Sequence, residues 1–211
     1  MTAPVSRHVT WPVSGWLARH RGLLPGGRTA SELPRVSPAI NGLRRRKPKD
    51  LGGCARLLRV VFYEGQYPAY WPEAPRAWLD GEDVMDAWVV ERQGEILGHI
   101  AISKVGMDDV SGLRWREMTG HAPADLAAVS RMYVRSRVRR QGIGTALLDV
   151  AVSEIRARGL IPVLDVLSAS KDAIRLYEAH GWRLLAMDPW RDKPHELRLH
   201  CYVLPPESIS V

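Results

Sequence analysis

Two rhythms of apolar and polar positions run through residues 39–206. A period near 3.6 marks helices and a period of two marks strands. Residues 39–46 predict a short strand. Pro48 and Asp50 open a helix whose apolar stripe is Leu51, Cys54, Leu57, Leu58 and Val61. Tyr67, Pro68, Ala69, Tyr70, Trp71 and Pro72 form an aromatic loop pinned by its prolines. A short helix follows over 73–79. Residues 86–92 and 95–103 predict a hairpin around Gln93 and Gly94. Residues 104–124 show neither period and predict a long irregular connection. A strand over 129–134 leads to a helix over 142–158, with Ile143, Ala146, Leu147, Val150, Ala151 and Ile155 on one side and Gly159 as its stop. A buried-type strand over 161–167 precedes a helix over 171–180, stopped by Gly181. Strands over 182–186 and 197–204 close the pattern. Alternating strands and helices predict an α/β domain built on one central sheet.

Residues 1–38 keep neither rhythm. Pro4, Pro12, Pro25, Pro34, Pro38 and the Gly26-Gly27 pair interrupt them, which predicts a disordered or loosely packed arm. Charge separates this arm from the domain. The whole chain of 211 residues carries +7; residues 1–49 hold ten Lys/Arg against one acid, and residues 50–211 hold twenty against twenty-two. The basic excess therefore belongs to the arm, and the domain is near neutral. An Arg-rich, acid-free leader resembles an organellar transit peptide, but a start site assigned too early in a GC-rich gene explains it as well. No continuous apolar segment makes a secretory signal, and no apolar run reaches the ~20 residues of a membrane span. Nucleic-acid binding by the arm rests on charge alone and is not expected, since Trp11 and Trp16 are its only aromatics. Cys54 and Cys201 cannot form a disulfide framework and read as buried apolar residues in a reducing, cytoplasmic setting. No His, Cys, Asp and Glu spacing predicts a metal site.

Candidate chemistry concentrates where the strand ending Met132, Tyr133, Val134 meets a helix start. Arg139, Arg140, Gln141, Gly142, Ile143, Gly144 and Thr145 occupy that turn. The first amides of a helix lack internal partners, and the helix dipole adds partial positive charge. Glycines admit close approach to the backbone, and two arginines add forked donors. The combination predicts an anion cradle of pyrophosphate size. It lacks the GK[ST] of a phosphate-binding P-loop, and Leu147 stands where a dinucleotide fingerprint needs its third glycine.

These residues resemble the first motif of the GNAT superfamily of N-acetyltransferases, (Arg/Gln)-x-x-Gly-x-(Gly/Ala), here Arg139, Gly142 and Gly144. About 30 residues downstream, Ser170, Ala173, Leu176, Tyr177, Glu178, Gly181 and Trp182 resemble its second motif. The resemblance covers about residues 39–206, including the basic run Arg44–Lys49 and the Gly94–His99 hairpin; the Gly65–Pro72 loop with Trp78 is similar to that of a little-characterised bacterial subset. It leaves out the arm and a tail over 207–211. It implies a single GNAT-type α/β domain: a mixed, mostly antiparallel sheet flanked by helices, with a V-shaped opening between the two central strands. It implies acetyl-CoA as co-substrate, its pyrophosphate on Arg139–Thr145 and its pantetheine along Met132, Tyr133 and Val134, with Ser170 nearby. A backbone amide of that strand would polarise the thioester carbonyl. Tyr177 would protonate the departing thiolate. The acceptor would be a small-molecule amine or a protein amino group, with Tyr67, Tyr70 and Trp71 as candidate contacts, and the protein a monomer or homodimer.

Two positions depart from the pattern. Ser170 replaces the usual Asn, where it can still cap the helix. The strand residues Ala127, Ala128, Val129, Ser130 and Arg131 offer no acid, so the general base is open among Glu91, His99, Glu117 and Asp125. A water relay, or substrate arriving as free amine, needs none. Arg114, Trp115, Arg116 and Glu117 are placed near the cleft, and His121 as a solvated loop residue. A non-catalytic acetyl-CoA-binding sensor or interaction module is the alternative.

Overall fold

A computed structural model describes residues 40–65, 67–106, 109–120, 122–189 and 198–205. The expectations for residues 1–38 and 207–211, and for His121, lie outside the described residues. Seven strands form one sheet in the order β1-β2-β3-β4-β5-β7-β6. They are β1 (Leu43–Arg45), β2 (Val84–Arg92), β3 (Glu95–Lys104), β4 (Leu126–Val134), β5 (Ile161–Leu167), β6 (Arg183–Pro189) and β7 (Arg198–Val203). The helices are α1 (Leu51–Gly65), α2 (Pro75–Leu79), α3 (Val110–Thr119), α4 (Ile143–Ala157) and α5 (Lys171–Ala179). The β4/β5 pair is parallel, whereas β1/β2, β2/β3, β5/β7 and β6/β7 are antiparallel.

The chain packs as two compact units. One holds the elements up to Lys104 together with Val129–Ala157. In it, the predicted stripe of α1 becomes core: Cys54, Leu57, Leu58 and Val61 pack with Leu79, Val89, Ile96 and Tyr133. The β2–β3 hairpin turns through Gln93 and Gly94, both at positive φ (51° and 77°), the twist-matched geometry of a two-residue hairpin. Arg44 in β1 holds both Asp50 (2.6 and 2.9 Å) and Glu91 (2.5 Å), fixing the entry to α1. That pairing holds the Asp50 carboxyl down at about 2. Glycine at 98 lets α4 seat on β3, since a Cβ there would stand 3.0 Å from Ile143 and 2.9 Å from Leu147.

The other unit holds Val105–Ala128 and the chain from Arg158 onward. Leu126, Ala127 and Ala128 of β4 pair with Ile161, Pro162 and Val163 of β5. Its core joins Trp115, Leu126, Ile161, Val163, Leu185, Cys201 and Val203. The connection expected to be irregular contains α3. Its buried stripe is Ser111, Gly112 and Trp115, two small residues and one aromatic, so no apolar period betrays it. Gly112 is required by contact: a Cβ would lie 2.6 Å from the Gly106 carbonyl oxygen. Gly120, at φ 74°, ends the helix in the left-handed region. The strand expected over 39–46 is shorter, because Ile40–Gly42 turn first and Gly42 takes φ 87°.

Candidate active site

The turn into α4 has the form the sequence implies. Gly142 sits at φ 77°, and its carbonyl accepts the first helical bond, from the Ala146 amide at 2.9 Å. The amides of Ile143, Gly144 and Thr145 thus fall before any intrahelical carbonyl. Arg140 is also at positive φ, 60°. Residues Arg139, Arg140, Gln141 and Gly142 are all exposed, whereas Ile143 is buried and anchors the helix. Arg139 Nε reaches the Val134 carbonyl at 3.4 Å. Among the described residues neither Arg139 nor Arg140 pairs with a carboxylate. An open loop with two uncompensated guanidinium groups at a helix N-terminus suits a doubly charged phosphate ester.

Just upstream, β4 is kinked. Arg131 takes φ 51°, a conformation that costs a non-glycine residue ~1–2 kcal/mol. Its side chain offsets that strain. The guanidinium donates to the Trp78 carbonyl (2.6 Å), to both Asp83 oxygens (3.0 Å each) and to Ser103 (2.8 Å), and it lies 5.1 Å over the Trp78 ring. Beyond the kink, the Tyr133 side chain is core: its hydroxyl donates to the Cys54 carbonyl at 3.1 Å and its ring stacks on His99 at 5.1 Å. The Tyr133 side chain is therefore committed to the core, whereas Met132 and Val134 on either side of it are half-buried.

His99 is unsuited to proton exchange with a substrate. It is fully buried; Nδ1 donates to the Arg131 carbonyl at 2.8 Å, and Nε2 accepts from Arg46 at 3.3 Å. Burial lowers its pKa from 6.5 to about 3. Glu91 is held by Arg44 and Glu117 by Arg114 at 2.5 Å. Trp115 is 1% exposed and belongs to the core, while Arg114 pairs with the buried Asp188 at 2.8 Å. Asp125 lies in the turn before β4. Of the aromatic loop, Tyr67 packs inward at 6.2 Å from the Tyr133 ring, Tyr70 is exposed, and Trp71 lies 5.4 Å from Phe62 with Arg59 over its face.

In the other unit, α5 carries Tyr177, buried at 7% exposure with its ring 5.9 Å from Trp182. Burial pushes its phenol up to about 12, so it stays protonated through neutral pH. Ser170 begins α5 through its carbonyl, which accepts from the Ile174 amide at 3.0 Å; its side chain makes no cap bond, contrary to the expected role. Asp165 on β5 is a candidate the sequence reading did not single out. Its residue is open to solvent, yet surrounding protein removes enough water from the carboxyl to raise its pKa to about 6. Cys201, its cross-strand partner, and Ser111 hydrogen-bond it and oppose the shift; Asp109 adds repulsion. The signal available in the sequence was one acid inside the apolar run Ile161–Leu167. Cys54 and Cys201 are buried, as expected, and burial raises both thiols. Among the described residues no cluster of His, Cys, Asp and Glu can hold a metal, and no helix is long and apolar enough to cross a membrane.

Residues 55–182 match the model of the acetyltransferase (GNAT) family. The chain belongs to the GNAT family. It is thus an acyltransferase by family, and both motifs, the Arg139–Gly144 turn and the Tyr177–Gly181 helix end, fall inside the matched region. Solved structures share the GNAT fold at low identity. The smu.2055 protein of Streptococcus mutans aligns at TM-score 0.62 with 19% identity, over 78% of this chain and 99% of its own. The ribosomal-protein-S18-alanine N-acetyltransferase of Escherichia coli gives 0.57 and 19%, over 82% and 99%. An N-acetyltransferase of Staphylococcus aureus gives 0.59 and 20%, over 77% and 96%.

Proposed function

We propose that this GNAT protein moves the acetyl group of acetyl-CoA to an amine, on a small molecule or a protein, by direct attack. The observation that carries the reading is the exposed, cation-flanked turn Arg139–Gly142 leading into α4, which fits a pyrophosphate in charge and in backbone access. The main chain of Met132–Val134 holds the pantetheine and offers an amide to the thioester carbonyl. The acceptor arrives as the free amine or gives its ammonium proton to water, so this step needs no side-chain base. The amine forms the new C–N bond as the C–S bond breaks, and the proton it sheds in becoming an amide passes through water to restore the Tyr177 phenol. Tyr177 gives its proton to the departing sulfur, a role supported by its neutral phenol and its four-residue spacing from Gly181. Ser170, without a cap bond, contributes its hydroxyl to the pantetheine. Thiol release from acetyl-CoA, measured against amines, peptides and aminoglycosides, tests the reading. Acetylated amine accumulating in step with thiol supports it; acetyl-CoA binding without release overturns it.

A further inference from the structure

The groove between α1 and α2 is bordered by Trp71 of the aromatic loop. It is an open cavity of about 520 Å³, and three arginines line it: Arg56 and Arg59 from α1 and Arg76 from α2. All three are exposed, and among the described residues none forms an ion pair. Two of them converge. A Cβ built on Gly52 would lie 3.2 Å from an Arg76 terminal nitrogen and 3.6 Å from one of Arg56, so both guanidinium groups close over the same backbone point. The third lies 5.8 Å from the Trp71 ring centroid, over its face. Converged like charges repel unless an anion stands among them, and forked donors match carboxylate and phosphate oxygens. Residues 50–211 are slightly acidic as a whole, so this positive groove departs from the surface around it.

Position connects the groove to the transfer chemistry. Arg56 stands nine residues before Gly65, about 14 Å along the helix, and Gly65 is the end of α1 near Arg139. The groove is therefore separate from the pyrophosphate cradle. The aromatic loop makes the connection: Trp71 lines the groove, and Tyr67 of the same loop packs 6.2 Å from the ring of Tyr133, on the strand assigned to the pantetheine. We propose that the groove binds the anionic part of the acceptor, an amine bearing two or more negative charges as carboxylates or phosphate. This inference rests on the transfer reading above.

Two matched pairs of acceptors test it: alanyl-glutamyl-glutamate against alanyl-glutaminyl-glutamine amide, and O-phosphoethanolamine against ethanolamine. The pairs distinguish a peptide source of the charge from a free phosphate ester. In at least one pair kcat/KM is expected to favour the charged member by ~tenfold or more, as for hydrogen bonds between charged groups. The double variant Arg56→Gln, Arg59→Gln is expected to lose that preference with KM for acetyl-CoA unchanged. Equal rates within both pairs, or a preference that survives the double substitution, overturn the groove assignment and leave the transfer reading standing. Calorimetry of the same probes at saturating CoA separates the other failure. Arginine-dependent binding without any transfer overturns the transfer reading and leaves the groove's ligand class standing; no binding and no transfer overturns both.

Discussion

The Nδ1 of His99 donates to the main-chain carbonyl of Arg131 across 2.8 Å, and that carbonyl belongs to the residue that kinks β4. The carbonyl can only accept, so Nδ1 carries the proton and Nε2 accepts from Arg46. The neutral ring is thus built into the fold beneath the segment Met132–Val134. His99→Leu is expected to cost ~1–3 kcal/mol at pH 7, because it strands the Arg131 carbonyl and the Arg46 donor. Acid narrows the gap. The folded pKa of about 3 lies below the ordinary 6.5, so between these values the unfolded chain binds more protons. His99 stabilises the fold fully above about 6.5 and loses that contribution as pH falls toward 3. Urea denaturation at pH 7 and pH 4.5 checks this; a gap that stays constant or widens in acid contradicts it.

The α4 turn separates charge from backbone geometry. Arg139→Ala is expected to weaken acetyl-CoA binding by ~1.5–3 kcal/mol, the range for hydrogen bonds to charged groups. Gly142→Ala has room for its methyl group, since the nearest atom is 3.6 Å away on Ile40. It forces a left-handed alanine, however, at a cost of ~1–2 kcal/mol. Its thermal stability should fall and its acetyl-CoA affinity with it, whereas Arg139→Ala should lose affinity alone. Paired calorimetry and thermal melts decide this, and unchanged affinity in both variants rejects the cradle.

Asp165 opposes the fold at neutral pH. Its folded pKa of about 6 exceeds the ordinary 3.8, so the folded chain binds more protons between those values. Asp165 therefore favours the fold below about 3.8, and that advantage is lost as pH rises through 6. Asp165→Asn keeps the acceptor oxygen facing Cys201 and Ser111 without the charge. It should melt higher than the wild type at pH 7.5, with the difference shrinking toward pH 4. Thermal melts at the two pH values check this; a variant that melts lower at pH 7.5 contradicts it.

Local sequence signals made most of these elements legible. The α1 stripe, the Gln93-Gly94 hairpin and the Gly142 turn each carry a periodicity or a turn residue that needs no tertiary partner. Helix α3 carried none, because Ser111, Gly112 and Trp115 bury by shape rather than by repeat. The proposed site divides in the same way. Arg139–Thr145 reads as an anion turn from its residues, and Tyr177 stood out through its motif. The raised carboxyl of Asp165 needed the environment of Cys201, Ser111 and Asp109, and the Arg56–Arg76 groove needed two helices side by side. Ser170 and His99 show the converse: a capping residue type without a cap bond, and a titratable side chain held neutral by burial.

The most direct test of acetyl transfer is kcat for thiol release, with acetylated amine counted by mass spectrometry, in the wild type and Tyr177→Phe. Phenylalanine keeps the ring beside Trp182 and removes only the hydroxyl. The wild type should release thiol and form acetylated amine one for one. Tyr177→Phe should bind acetyl-CoA equally well and turn over at least ~30-fold more slowly, within the usual gain from a positioned proton donor. A wild type that binds acetyl-CoA and acetylates no amine would contradict the transfer itself, and a fully active Tyr177→Phe would remove this tyrosine from the chemistry.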